Sequence, residues 1–122
     1  MLDFNEFDTF TAEEQIGLML LVPYWCRELA GRAKWPETIE HRIVLTSMLM
    51  ITGGGKEVTR EAIKEDLECS YVGRHGDVSA WDHLGGFDGL RSMAHAHGVR
   101  ALRYFRHMLL ESHVDRLKKA GN

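Results

Sequence analysis

The histidines are the side chains in this sequence with the widest chemical use. Seven occur among 122 residues, and His95, His97, His107 and His113 all lie in the C-terminal part. Metal ligands on one helix face should be three or four residues apart. His95 and His97 are two apart, so a helix would direct them to different sides. The sequence therefore favours no metal and no other cofactor, and a histidine-bound metal protein is the third hypothesis, with His95 and His97 as ligands.

Arginine and histidine recur at short separations in the same part of the chain. Three such pairs are Arg91 with His97, Arg100 with His107, and Arg106 with His113. Their spacing resembles the R-x(4–6)-H motif of the HEPN family of metal-independent ribonucleases. That resemblance implies that the arginine would hold the scissile phosphate and the histidine would transfer protons. An Arg/His ribonuclease is thus the alternative function.

A glycine-rich turn, Gly53–Gly55, precedes Lys56 and has the order of a phosphate-binding loop. That motif also needs a glycine where Met50 stands and a hydroxyl where Glu57 stands. The turn is typical of a helix end instead.

The two cysteines, Cys26 and Cys69, form no C-x-x-C motif, and the acidic N-terminus does not resemble a secretion signal. We expect both thiols to be reduced, buried and chemically inert. The sequence also contains no G-x-S-x-G motif for a nucleophilic serine. These patterns argue against a nucleophilic enzyme.

Charge is distributed unevenly along the chain. Residues 1–88 carry 16 acidic and 8 basic side chains, net −8, whereas residues 89–122 carry 2 acidic and 7 basic, net +5. The helical pattern after Leu90 places Leu102, Phe105 and Leu109 on one side. The opposite side, which we predict to bind a partner, contains Arg100, Arg103, His107 and Lys118.

The elements that position these residues are predicted to be mostly helices. Thr11 and Glu14 have capping-box spacing before an apolar stretch, and Pro23 divides that stretch into helices 12–22 and 24–33 or kinks a single helix. A third segment starts with Pro36 in its first turn and runs to Thr52. It is rich in β-branched residues but long for a strand, so we interpret it as a buried helix.

The second half of the chain is predicted to alternate between helix and glycine-rich loop. Thr59 is expected to cap a helix over 60–69 with an acidic surface. A loop over 73–89 should contain a short helix near 78–84, with Asp77 and Asp88 as caps. The last helix begins near Leu90. The predicted fold is one mainly α domain over residues 1–122, with about five helices and a small strand pair near residues 68–80.

Composition and charge favour a small cytoplasmic protein that is not an enzyme and acts by binding a macromolecule. The longest apolar run, over 16–26, is too short to cross a membrane. A net charge of −3 argues neither for nucleic acid binding nor for a membrane surface, and the net −8 of residues 1–88 would oppose approach to a polyanion. We therefore expect a protein partner, with direct nucleic acid binding less favoured and no membrane association. The sequence is also compatible with a homodimer. Regulators of this kind include adaptors, antitoxins and inhibitors of nucleic-acid-handling proteins, some of them phage-encoded.

Overall fold

The protein is mainly helical with a small antiparallel strand pair, which confirms the predicted fold class. The structure is a computed structural model that describes residues 5–72 and 76–96 together with Arg103 and Arg106. In chain order the elements are α1 (Asn5–Asp8), α2 (Ala12–Leu21), α3 (Cys26–Leu29), α4 (Ile39–Gly53), α5 (Arg60–Glu68), β1 (Tyr71–Val72), β2 (Val78–Ser79), α6 (Ala80–Leu84) and α7 (Gly86–Ala96).

Hydroxyl side chains begin four of these helices. Thr11, Thr38, Thr59 and Ser79 each accept a hydrogen bond from the backbone N–H three residues later, which would otherwise lack a partner. At Thr11 the Glu14 carboxylate also accepts from the Thr11 N–H, at 3.0 Å. The predicted capping box and the cap at Thr59 are thus confirmed.

The segment after Pro23 departs from regular α-helix. Proline has no N–H to donate, and α2 ends at Leu21. A 3₁₀ turn at Pro23–Trp25 leads into α3, and a second turn at Ala30–Arg32 follows it. Pro23 therefore separates two helical segments. Of the two predicted alternatives, the structure has two segments and not one kinked helix. The short helix α1 was not predicted.

Three predicted boundaries were wrong because a nearby hydroxyl or glycine sets the helix end. Pro36 lies outside α4, which begins after its cap Thr38. Ser79, not Asp77, caps α6. Asp88 lies inside the first turn of α7, which begins at Gly86 rather than near Leu90. The segment over 39–53 is a helix, as interpreted from its length.

The two strands form one short hairpin ladder. Tyr71 pairs with Ser79 and Val72 with Val78 in antiparallel register. The N–H of Ala80 donates to the carbonyl of Ser70 at 2.6 Å, which connects the start of α6 to the end of α5. The predicted strand pair near residues 68–80 is confirmed.

One hydrophobic core joins the described helices. Its fully buried members include Phe7, Phe10, Ile16, Met19, Leu29, Leu45, Met48, Ile63 and Leu67. Within this core, α2 packs most extensively against α7, and α4 packs against α5.

Gln15 is a fully buried polar residue of α2 that connects α1 to the chain that follows α3. Its Nε2 donates to the Phe7 carbonyl at 2.9 Å, and its Oε1 accepts from the Lys34 N–H at 2.8 Å. The Lys34 ammonium donates to the Phe10 carbonyl at 2.7 Å. Because buried polar groups are costly unless paired, this network fixes α1 against the chain around Lys34.

Glycines permit the close approach of α7 to its neighbours. A Cβ on Gly89 would lie 1.6 Å from the Leu84 carbonyl oxygen, which is inside any allowed contact distance. A Cβ on Gly17 would lie 3.2 Å from the Ala94 carbonyl oxygen, where α2 meets α7. The position of α7 therefore requires glycine at position 89, whereas the contact at Gly17 is tight but less demanding.

We expect Gly89→Ala to lower the free energy of unfolding by about 3 kcal/mol or more, because the added methyl group meets backbone that cannot move aside. Gly53→Ala is the matched control, since a Cβ there meets nothing within 4 Å. Urea denaturation followed by circular dichroism measures both. Equal midpoints for the two variants would contradict the packing described for α7.

We expect Gln15→Met to destabilise the protein by about 2 kcal/mol or more, since the Phe7 carbonyl and the Lys34 N–H lose their partner while shape is retained. Glu13→Met, on the same helix and not fully buried, should change stability much less. Thermal unfolding of both variants checks this. A Gln15→Met protein as stable as wild type would show that the Gln15 network contributes little.

Candidate binding groove

Two of the predicted site residues, Arg91 and His95, lie four residues apart on α7 and line the same groove. Arg103 and Arg106 are helical and exposed. The other predicted site residues, which are His97, Arg100, His107, His113 and Lys118, lie outside the described residues. None of the three Arg/His pairs thus has both members in the described part of the chain, so the ribonuclease hypothesis remains a prediction.

The groove lies between the end of α2, the start of α5 and one face of α7. Its volume is about 380 Å³. The floor is apolar and is formed by Leu20, Leu21, Ile63, Leu90 and Ala94. Most of these side chains are also part of the core, so the floor is held by the same packing that stabilises the fold. Pro23 lines the groove just beyond the end of α2.

The rim of the groove is mainly basic. Arg60 from the first turn of α5 joins Arg91 and His95, whereas Glu61 is the acidic side chain among the described lining residues. The side-chain ion pairs between described residues lie elsewhere, at Arg32–Asp8, Lys64–Glu68 and His83–Glu40. Arg60 and Arg91 therefore have no carboxylate partner within the described chain.

Phe87 closes one end of the groove, and two glycines place it there. Gly85 and Gly86 have φ of +85° and +64°, a left-handed conformation that side chains disfavour. This turn brings the Phe87 ring edge-on to Trp81, with ring centroids 4.7 Å apart. The Lys64 ammonium lies 5.9 Å from each ring centroid. Phe87 remains 42% exposed, so it is available to a ligand in the groove.

Sequence reasoning missed Arg60, Phe87 and the apolar floor as parts of a site. Arg60 is 31 positions from Arg91, and only the tertiary packing of α5 and α7 around α6 places both on the groove. The repeated glycines at 85, 86 and 89 were a signal for a tight turn, and that turn positions Phe87.

The glycine turn before Lys56 is a helix end, as predicted. Gly55 has φ of +75°, and the Lys56 N–H donates to the Ile51 carbonyl at 3.1 Å. The Gly54 and Gly55 amides also donate back to the last turn of α4. These amides are occupied by the helix terminus and do not form a cradle for phosphate.

The remaining candidate chemistries find no assembled site in the described residues. Across residues 5–72 and 76–96, no group of three His, Cys, Asp or Glu side chains could hold a metal ion. His95 lies on the groove, and its suggested co-ligand His97 is outside the described residues.

The cysteines differ from one another, which corrects the expectation that both are buried. Cys26 is fully buried in the core, with its thiol 3.7 Å from the Met19 carbonyl oxygen, whereas Cys69 is exposed. Burial, with a smaller contribution from Glu28, raises the pKa of the Cys26 thiol to about 12. Cys69 ends α5, where helix packing leaves its side chain outside the core.

Comparisons with known proteins do not assign a family. No protein-family model matches this chain, and no curated protein or solved structure matches it either. No helix in the described part of the chain has the length and apolar character needed to span a bilayer.

We expect a thiol reagent at neutral pH to modify Cys69 in the native protein and to leave Cys26 unmodified. A thiol with a pKa of about 12 is protonated and unreactive at neutral pH, and its burial excludes the reagent. Intact mass spectrometry before and after denaturation should show one and then two modified residues. In a Cys69→Ser variant, rapid native labelling would show that Cys26 is accessible.

Proposed function

We propose that this protein is not an enzyme and acts by binding a segment of a partner protein in the groove between α2, α5 and α7. The observation that carries this proposal is the pairing of an apolar floor with a rim containing Arg60, Arg91 and His95. Apolar side chains of the partner would fill the floor. A carboxylate of the partner would pair with the arginines, which have no acidic partner within the described chain.

The size and charge of the groove support a protein segment rather than a nucleic acid. A volume of about 380 Å³ suits a few side chains. Nucleic acid affinity depends on several Lys and Arg side chains that neutralise phosphates, whereas residues 1–88 are net −8. This net negative charge repels a long polyanion such as a nucleic acid. A short acidic segment can still bind, because it contacts only the basic rim.

Charge also favours a segment from another protein over the chain's own C-terminal part. Residues 97–122 contain six basic and two acidic side chains. Their net charge is positive, like that of the groove rim, so Arg60 and Arg91 would not attract them. Their positive charge would instead attract the same acidic partner, and Arg103 and Arg106 within this segment are exposed. The predicted contacts of Arg100, Arg103, His107 and Lys118 with a partner fit this arrangement.

A role as an adaptor, an antitoxin or an inhibitor of a nucleic-acid-handling protein fits this mode of binding. Such regulators act by occupying a partner's surface, and the groove would do so without chemistry. The cytoplasm is the compartment we propose for this activity, in line with an exposed free thiol at Cys69.

We expect the double variant Arg60→Glu/Arg91→Glu to bind the partner at least tenfold more weakly and with a flatter salt dependence, because the attractive rim becomes repulsive. The matched control is Arg27→Glu/Lys56→Glu, which makes the same charge change at exposed positions outside the groove. The partner is first captured from the native host lysate, and its affinity for each variant is then measured by titration calorimetry.

A photo-crosslinking amino acid at Phe87 tests the location directly. It should crosslink the captured partner, whereas the same group at Tyr71, which is exposed on β1, should not. Equal binding by wild type and Arg60→Glu/Arg91→Glu, together with no crosslink from position 87, would refute the groove as the binding site.

A further inference from the structure

Helix α4 has a buried face in the core and exposed apolar side chains on its opposite side. The buried face contains Val44, Leu45, Ser47, Met48 and Ile51. At 100° per residue, a second set lies on the opposite side: Ile39, Ile43, Thr46, Leu49 and Met50. We name this second set the α4 stripe. The face of a surface helix that points away from the core is normally polar, so exposed apolar side chains there indicate a contact surface.

Both ends of the α4 stripe are well exposed, whereas Ile43 near its middle is partly buried against the core. Ile39 is 63% exposed, Met50 is 66% exposed and Leu49 is 38% exposed. Trp35 extends the stripe at its N-terminal end and is 61% exposed, with the Arg42 guanidinium 5.6 Å from the ring centroid. The stripe runs for about 16 Å along the helix. Single exposed apolar residues are ordinary, but several large ones on one helix face mark an interaction surface.

We infer that the α4 stripe is the interface of a homodimer in which two copies of α4 pack antiparallel. The five stripe residues are uncharged, and Arg42 lies on the same side of α4 near its N-terminal end, where its Nε donates to the Pro36 carbonyl at 2.7 Å. An antiparallel contact keeps the Arg42 side chains of the two copies apart, which limits like-charge repulsion. Four of the five stripe residues, all except Leu49, are spaced symmetrically about a point between Ile43 and Thr46. An antiparallel two-fold contact would therefore set Ile39 opposite Met50 and Ile43 opposite Thr46.

The area of the stripe is consistent with a reversible dimer. The exposed fractions of Trp35, Ile39, Leu49 and Met50 correspond to about 500 Å² per copy, or about 1,000 Å² in total, at the lower limit for a specific interface. We therefore expect a dissociation constant in the micromolar range.

Sedimentation equilibrium on the full chain, from micromolar to submillimolar concentration, tests this inference. The weight-average mass of the wild type should rise from monomer toward dimer. Ile39→Glu and Met50→Glu should each weaken dimerisation at least tenfold, because each places two carboxylates in an apolar contact. Tyr71→Glu is the matched control, since Tyr71 is equally exposed but lies outside the stripe. It should leave the dissociation constant unchanged.

A crosslink gives a second readout that does not depend on the stability of the glutamate variants. Thr46→Cys in a Cys69→Ser background should form a covalent dimer with a short bis-maleimide, because helices in contact are about 8–10 Å apart. Arg27→Cys in the same background should not. A wild type that stays monomeric at the highest concentration would overturn the inference. So would a dimer that forms equally well with Met50→Glu and gives no Thr46→Cys crosslink.

Discussion

The position of α7 depends on the absence of side chains at its contacts with neighbouring backbone. Gly89 lies against the Leu84 carbonyl, and Gly85 and Gly86 adopt left-handed conformations in the turn before it. Gly17 then allows α2 to approach Ala94. Because α7 carries Phe87, Arg91 and His95, this backbone contact determines where the basic rim and the aromatic end of the groove lie.

A second constraint holds the other side of α2, at Gln15. The Gln15 side chain donates to the Phe7 carbonyl and accepts from the Lys34 N–H, so both backbone groups are paired directly. A paired polar group inside an apolar core costs little, whereas its removal exposes two unmet backbone groups to the core. α2 is thus fixed by glycine packing on one side and by a buried amide on the other. The groove floor at Leu20 and Leu21 is part of this rigid helix.

The two proposed surfaces use different physical properties. The groove combines apolar floor residues with uncompensated arginines, a combination that selects both shape and charge in its ligand. The α4 stripe is mainly apolar and suits contact with an identical surface. The groove and the stripe share no residues. A dimer formed through α4 would therefore leave both grooves available to partners.

Helices that begin or end at a short sequence motif could be predicted from the amino-acid sequence. The capping hydroxyls at Thr11 and Thr59, the breaking effect of Pro23 and the glycine turn after α4 act within a few residues, so each could be predicted. Tertiary structure alone decided that Cys26 is buried and Cys69 exposed. It also decided that Arg60 and Arg91 line the same groove, because 31 residues separate them and only tertiary packing, with α6 between α5 and α7, places both there. Local hydrogen bonds are encoded by neighbours, whereas a binding surface depends on which faces the whole core leaves uncovered.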